Sequence, residues 1–490
     1  MQLIKLISAL PEIVKSNGSM TCEISSLCHD SRKVKNNALF VAIRGLVSDG
    51  HDFIEQSISQ GAAAIIYDRK EIVMPAGVNA VCVSDSRMAL PILASEFFKH
   101  PEEKLKLIGI TGTNGKTTTN YFIQHILYEC GIKTGRIGTT GAEYQGITVD
   151  LIHTTPESND LYEILSGFEQ AGAEAVTLEV SSIAMDQNRV DGLQFDIAIF
   201  SNLTQDHLDY HTTFEEYLEA KQSLFKNLST QALAIINGDD ANSEKIIRDC
   251  PARIIRYGFG ENCDYRILGQ TVTNSGLELQ IKTPLQSITI HANTIGKFNS
   301  YNLLSAIAAA LESGCSLDLL GKAVQTLPQV PGRLEKMKNN APFKVFVDYA
   351  HTPDAMETIL RTLSEAYPGK TLTSVFGCGG DRDKGKRPIM GEIASRLSTT
   401  TIITDDNPRS EASMDIIMAI VIGCKGRNNF TIISDRRTAV LAALEGAGTD
   451  DVIAILGKGH EPYQEIKGER LPYSDMDIVN KFMEQHGYSA

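Results

Sequence analysis

The chain has 490 residues, enough for about three domains at ~150 residues each. Its 42% hydrophobic content, 39 Gly and 16 Pro exclude disordered and collagen-like chains. With 46 basic against 60 acidic residues, the formal charge is −14, so the global field repels polyanions and excludes nonspecific nucleic-acid or anionic-membrane partners.

Leu3, Leu6, Ile7, Leu10, Ile13 and Val14 recur at helical spacing, so Met1 to Lys15 is expected as an amphipathic first helix rather than a signal peptide. The longest apolar run, Ile416 to Ile422, falls far short of the ~18 residues that cross a bilayer. No membrane span and a cytoplasmic location are expected. The nine cysteines, Cys22, Cys28, Cys82, Cys130, Cys250, Cys263, Cys315, Cys378 and Cys424, form no CxxC pair or His/Cys cluster. Neither a disulfide scaffold nor a zinc site is indicated.

Composition breaks at His100-Pro101-Glu102-Glu103-Lys104 and across Thr326 to Lys344 place domain boundaries near 98 and 335. Between them, strand-like runs at Leu105 to Ile110, Ala175 to Val180, Ile197 to Asn202 and Ala232 to Asn237 alternate with helical patterns, which is the signature of a helix-covered parallel sheet. Beyond 335 the runs Lys344 to Asp348, Thr371 to Phe376, Thr400 to Thr404, Phe430 to Ile433 and Val452 to Leu456 repeat the theme. The expected fold is α/β in three domains: a smaller α/β domain over 1–98, a central P-loop ATPase-type parallel-sheet domain over 99–335, and a Rossmann-like doubly wound domain over 336–490.

The strand ending at Ile110 runs into Thr111-Gly112-Thr113-Asn114-Gly115-Lys116-Thr117-Thr118, followed by a helix-periodic segment with Tyr121, Phe122, Ile126 and Leu127. Glycines let backbone N–H groups converge on phosphate oxygens, Lys116 supplies charge for the β/γ-phosphates and Thr117 a hydroxyl for Mg²⁺. The general pattern expects its first glycine at Ile110. The bland reading is a Gly-rich turn before a helix; the GKT ending in its strand-to-helix context favours nucleotide binding. The loop alone leaves motor, GTPase switch, kinase and ligase open.

Glu179 ends the strand Ala175 to Val180, and Asn202-Leu203-Thr204-Gln205-Asp206-His207-Leu208-Asp209-Tyr210-His211 ends the next. Both therefore fall at the C-terminal sheet edge, where open α/β sheets bind ligands. In the segment Phe214 to Phe225 the apolar stripe is 214, 217, 218, 224 and 225, and Lys221 fills its core-facing gap. Such a lysine either snorkels or is a desolvated amine of lowered pKa, open to carbamylation by CO₂ into an oxygen ligand for Mg²⁺.

With these residues in place the chain resembles the Mur ligase family over nearly its whole length. The resemblance rests on Gly112 to Thr118, Glu179-Val-Ser-Ser182, Asn202 to His211, Gly296-Lys-Phe-Asn299, Gly332-Arg-Leu-Glu335, Asp348-Tyr-Ala-His-Thr-Pro-Asp354, Gly377 to Arg387 and Asp406-Asn-Pro-Arg409. It implies the branch that adds the third residue of the peptidoglycan stem peptide to UDP-N-acetylmuramoyl-L-alanyl-D-glutamate, with a UDP-sugar domain first, ATP and Mg²⁺ in the middle and the amino acid last. By the same resemblance ATP lies on Gly112, Thr113, Asn114, Gly115, Lys116, Thr117 and Thr118, with Asn299, Arg333 and Asp348 around it. Lys116, Lys221, Glu179 and His207 are implied as catalytic. Thr117, Glu179, His207 and a carbamylated Lys221 are implied as the metal set. For the UDP-sugar dipeptide it points to Ser31, the loop 46–48, His153, Thr154, Thr155, Ser181, Gln187 and Arg189. His153 stands where relatives often have Asn.

The chemistry implied is amide formation through an acyl phosphate. That agrees with a chain offering cations and backbone donors but no Gly-x-Ser-x-Gly elbow. Asp406-Asn407-Pro408-Arg409 follows a strand and so faces the crevice, where Arg409 can hold a carboxylate with two parallel hydrogen bonds. Meso-diaminopimelate differs from L-lysine by one far-end carboxylate. Its absence leaves the arginine unpaired, a penalty worth ~10⁴-fold. The same motif marks diaminopimelate-adding relatives, with Arg382, Gly457 and Glu461 as companions by resemblance; from spacing alone an exposed turn arginine stands equally well. The expectation is a monomer that uses ATP and Mg²⁺ to join meso-diaminopimelate to the UDP-dipeptide. Rival readings are an L-lysine-adding relative, folylpolyglutamate synthase, an oxidoreductase on Gly377-Cys378-Gly379-Gly380, whose GxGxxG template fails at Arg382, and a P-loop switch.

Overall fold

The computed structural model describes residues 1–45, 48–204, 206, 210–273 and 276–488. Its strands form an N-terminal five-stranded sheet, a central eleven-stranded sheet, a C-terminal six-stranded sheet and one separate hairpin.

In the central sheet the strand Lys106–Thr111 lies between Ala175–Glu179 and Ile197–Phe200, all parallel. Successive residues of these strands feed opposite cores, as period-two geometry dictates. Ile108, Ile110, Ile197 and Ile199 pack on one face with Phe122 and Leu303, while Leu107, Leu178, Ala198 and Phe200 pack on the other with Phe168 and Phe225. Helices Lys116–Glu129 and Lys297–Glu312 cover the first face. Antiparallel strands extend both ends of this sheet.

The C-terminal sheet runs in the order Glu335–Lys336, Lys344–Asp348, Val452–Leu456, Leu372–Phe376, Thr400–Ile403 and Phe430–Ile432, parallel except at its first strand. Consequently Asp348, Gly377, Asp406 and Gly457 all lie at or just past C-terminal strand ends. This is the edge at which doubly wound sheets place ligands.

Two expectations need correction. The first helix covers only Leu3–Ile7, and Lys15–Asn17 is an edge strand paired with Ala80–Cys82. Pro11 cannot continue a helix and biases Leu10 out of helical geometry, so the apolar periodicity outlasts the helix. Ile13 and Val14 are left exposed. The cysteine pattern gave no pairing, yet Cys130, after the P-loop helix, forms a disulfide with Cys315, after the helix packed against it. These residues lie 185 positions apart with Cα atoms 5.7 Å apart; no sequence spacing signals such a pair. Among the described residues no helix is long and apolar enough to cross a membrane.

Candidate active site

A cleft of about 1760 Å³ opens between the central and C-terminal sheets, lined from one side by Thr113 to Thr118 and Glu179 and from the other by Arg333, Asp348, Arg382, Asp406, Asn407, Arg409, Gly457 and Glu461. Among the described residues none before Thr113 lines it.

The phosphate loop leaves its strand at Thr111 and turns through Gly112 and Gly115, whose φ values of 146° and 88° suit only glycine without strain. A Cβ on Gly115 would stand 2.3 Å from Asn302 Oδ1, so glycine is also required by this close approach. Asn114 is locked from both sides. Its N–H donates to Asn202 Oδ1 at 2.9 Å, its carbonyl accepts from Asn202 Nδ2 at 3.0 Å, and its side-chain amide donates to Asp354 Oδ2 at 3.0 Å.

Behind the loop, the Glu179 carboxylate is buried and accepts from Thr117 Oγ1 at 2.9 Å, the Thr139 N–H at 3.0 Å and Thr139 Oγ1 at 3.0 Å. Arg333 Nη2 donates to Thr117 Oγ1 at 3.1 Å, and its guanidinium lies over the Tyr349 ring. Lys221 lies on helix Phe214–Lys226, is 1% exposed, and donates to the Gly112 carbonyl at 3.0 Å. Burial, and then the neighbouring charge of Lys116, hold its pKa well below the ordinary 10.5. Lys116 donates to the carbonyls of Gly112 and Thr113 at 2.8 and 3.0 Å, and its pKa is also lowered by burial.

Hard oxygen donors are what Mg²⁺ takes. The Glu179 carboxylate and Thr117 hydroxyl fit that demand, whereas the Lys221 amine offers no oxygen until carbamylated. His207 lies outside the described residues.

On the C-terminal side Arg409 adopts φ 51°, a left-handed conformation unusual for a residue with a Cβ. The hairpin Tyr463–Ile466 and Glu469–Pro472 holds it there. Its N–H donates to Glu465 O at 3.1 Å, its carbonyl accepts from Lys467 N at 2.8 Å, and its Nε lies 3.4 Å from Glu465 Oε2. Arg409 Nη1 donates to Gly380 O at 2.7 Å. Asn407 Nδ2 donates to Glu461 Oε2 at 3.1 Å, and Tyr349 OH reaches Glu461 Oε1 at 3.4 Å. The buried Asp348 carboxylate accepts from the N–H groups of Leu334 and Ala350.

Of the residues expected around the UDP-dipeptide, His153, Thr154, Ser181 and Arg189 line the cleft. Burial and the Arg189 charge lower the pKa of His153. Arg189 Nε sits 3.0 Å from Glu157 Oε1, and Arg87 from the N-terminal part reaches the other oxygen at 3.2 Å. Thr155 and Gln187 stand behind this wall, Thr155 Oγ1 donating to Glu179 O at 2.8 Å and Gln187 Nε2 to Tyr210 OH at 2.8 Å. Ser31 lies away from the cleft, 3.5 Å from Gln56 Oε1. Leu46 and Val47 of the 46–48 loop fall outside the described residues. Gly112, Asn299 and Pro408 also do not face the cleft; the Asn299 amide donates to Ile295 O at 2.7 Å. Sequence reasoning missed Asn302, which stands one turn beyond Asn299 and touches the P-loop, together with His351 and Asp354. The i, i+3 spacing on one helix face was the available signal for Asn302.

Family models match in three consecutive blocks: Mur ligase family, catalytic domain, over 23–98; Mur ligase middle domain over 110–310; and Mur ligase, glutamate ligase domain over 332–459. The chain belongs to the Mur ligase family, whose members are ATP-dependent ligases. It is 41% identical over 490 residues to a UDP-N-acetylmuramoyl-L-alanyl-D-glutamate--2,6-diaminopimelate ligase of Bacillus cereus, covering 98% of each chain. To the protein of the same name from Geobacter metallireducens it is 39% identical, covering 95% of each. A solved structure of a ligase of that name is 31% identical, with TM-score 0.69 and full coverage of both chains.

Proposed function

We propose that this chain is the ATP-dependent ligase that joins meso-diaminopimelate to the D-glutamate of UDP-N-acetylmuramoyl-L-alanyl-D-glutamate, acting as a monomer in the cytoplasm. One observation carries the reading: the P-loop and Arg409, a guanidinium able to pair with a carboxylate, line opposite walls of the same cleft. The relatives' names support it. The division into 1–98, 99–335 and 336–490 then assigns UDP-sugar, ATP and amino acid to successive domains.

In this mechanism the P-loop N–H groups and Lys116 hold the β/γ-phosphates, with Arg333 and Asp348 closing the nucleotide site from the C-terminal side. The free carboxylate of the substrate attacks the γ-phosphorus and ADP leaves. The amine of diaminopimelate attacks the resulting acyl carbon, and the tetrahedral adduct expels phosphate as the amine proton departs. Positioning and electrostatics supply the rate, and no enzyme nucleophile is used. Thr117, Glu179, His207 and carbamylated Lys221 would hold Mg²⁺, which neutralises phosphate charge when bound. Arg382 and Arg409 bind the far-end carboxylate of diaminopimelate, and Glu461 faces the ammonium group at that same end.

The test is ADP formation from the UDP-dipeptide with diaminopimelate and L-lysine compared side by side. Turnover with diaminopimelate and little with lysine is expected. Preference for lysine would assign the chain to the lysine-adding reading, and turnover without any amino acid would remove it from the ligases.

A further inference from the structure

We propose that Lys458 is a positioning residue for selection of the incoming amino acid, acting through Asn407 and Glu461. The proposal rests on reading the Arg409 pocket as the amino-acid site. Lys458 follows the strand Val452–Leu456 and is 0% exposed, so it never meets the cleft; Asn407 and Glu461 both line it.

The ammonium donates to Asn407 Oδ1 at 3.0 Å and to Glu461 Oε2 at 2.9 Å. The rings of Tyr463 and Tyr473 lie 5.6 and 6.0 Å away, so aromatic faces complete its surroundings. A fully buried cation is tolerated only when paired and hydrogen-bonded. Lys458 therefore depends on Glu461, and Glu461 is held by it.

The geometry fixes more than one side chain. Asn407 Oδ1 also accepts from the Glu465 N–H at 2.9 Å, which leaves Asn407 Nδ2 to face Glu461 Oε2 at 3.1 Å. The amide orientation is thus set by two donors on its oxygen. With Oε2 of Glu461 taken by Lys458 and Asn407, the carboxylate cannot rotate without breaking two charge-assisted bonds. Glu465 in turn carries the carbonyl that anchors the Arg409 N–H. One buried ammonium consequently ties the carboxylate and the arginine of the pocket into a single arrangement. A pocket that is preorganised in this way discriminates by leaving its polar groups unpaired when the wrong amino acid enters.

The experiment is steady-state kinetics of Lys458→Met, Glu461→Gln and the double variant, with all three substrates varied in turn. Lys458→Met is expected to raise KM for diaminopimelate by about tenfold or more, with KM for ATP and for the UDP-dipeptide changed by less than about twofold. Because Lys458 acts through Glu461, the double variant should lose little beyond Glu461→Gln alone. The double variant also removes the unpaired buried charge that would otherwise penalise folding of the single variant. An unchanged KM for diaminopimelate in Lys458→Met, additive losses in the double variant, or loss of cooperative unfolding in both would each overturn the proposal and make Lys458 a stability residue. Inactivity of the unmodified enzyme with diaminopimelate would instead sink the functional reading beneath it, and that arm is read first.

Discussion

Lys116 Nζ and Lys221 Nζ converge on one acceptor, the carbonyl oxygen of Gly112, at 2.8 and 3.0 Å. Two ammonium groups that share an acceptor in a buried site repel each other, and among the described residues both donate to backbone carbonyls rather than to a carboxylate. The repulsion is relieved when one of them is neutral, and burial lowers the pKa of both, most strongly that of Lys221, on which the Lys116 charge also acts. A neutral amine is the form that adds to CO₂, releasing a proton and leaving a carbamate anion beside Lys116. Replacement of Lys221 by Ala should therefore lower kcat by about 10²-fold or more, with partial recovery in the presence of short carboxylic acids that fill the vacated oxygen positions. Turnover assays with and without added acetate check this; a fully active Lys221→Ala enzyme would show that the lysine only fills space.

Arg409 is held in a left-handed conformation by a hairpin that also bonds the two residues Asp406 and Asn407 of the same turn. A strained backbone maintained by neighbouring hydrogen bonds marks a side chain whose direction matters. Arg409→Ala should reduce kcat/KM for diaminopimelate by about 10²-fold or more while ADP affinity stays unchanged. Calorimetric titration of ADP alongside the ligation assay separates the two effects. Equal kcat/KM for variant and parent would remove Arg409 from amino-acid recognition.

The strands were readable in the sequence because both faces of the central sheet are covered, so Leu105 to Ile110 and its neighbours appear as continuous apolar runs. Lys221 was visible as a gap in an apolar helix stripe, and burial of the stripe carried it inward. Asn302, Asp354 and Lys458 were not visible in the same way. Their meaning depends on which C-terminal loops meet the P-loop or the Asp406 to Arg409 turn, a tertiary relationship that no local periodicity encodes. The apolar spacing continues past Pro11, where the backbone cannot follow, so periodicity predicts a longer first helix than Leu3–Ile7.

Asp348 carries a pH signature. Burial raises its carboxyl from 3.8 to about 6, against the opposing pull of Arg333 and of the N–H groups of Leu334 and Ala350. Between those values the native state holds a proton that the unfolded chain has released. The stabilisation is thus fully present below 3.8 and is lost as pH rises through about 6. Denaturant midpoints measured across this window should fall with rising pH, and Asp348→Asn should flatten that slope. In the same window protonation withdraws a negative charge from the nucleotide wall and leaves Arg333 less compensated, so KM for the polyanionic ATP is expected to fall as pH drops below about 6. A KM for ATP that is flat across this range would show that Asp348 does not act on the nucleotide.

Behind the Asp406 to Arg409 turn, Arg436 and Asp475 form a fully buried bidentate pair, Nε to Oδ1 at 3.0 Å and Nη2 to Oδ2 at 2.7 Å. Arg436 also donates to the carbonyls of Asp405 and Leu456, at 3.2 and 2.9 Å, one residue before Asp406 and Gly457 of the cleft. Removing one partner leaves a buried charge uncompensated, which costs about 3–5 kcal/mol, whereas removing both charges together is often near neutral. Arg436→Met should therefore lower the denaturant midpoint strongly, and Arg436→Met with Asp475→Leu should recover much of the loss. The double variant still lacks the two donors that hold the carbonyls, so its KM for diaminopimelate should stay elevated after stability returns. Recovery of both together would mean that Arg436 supports the fold but does not shape the pocket.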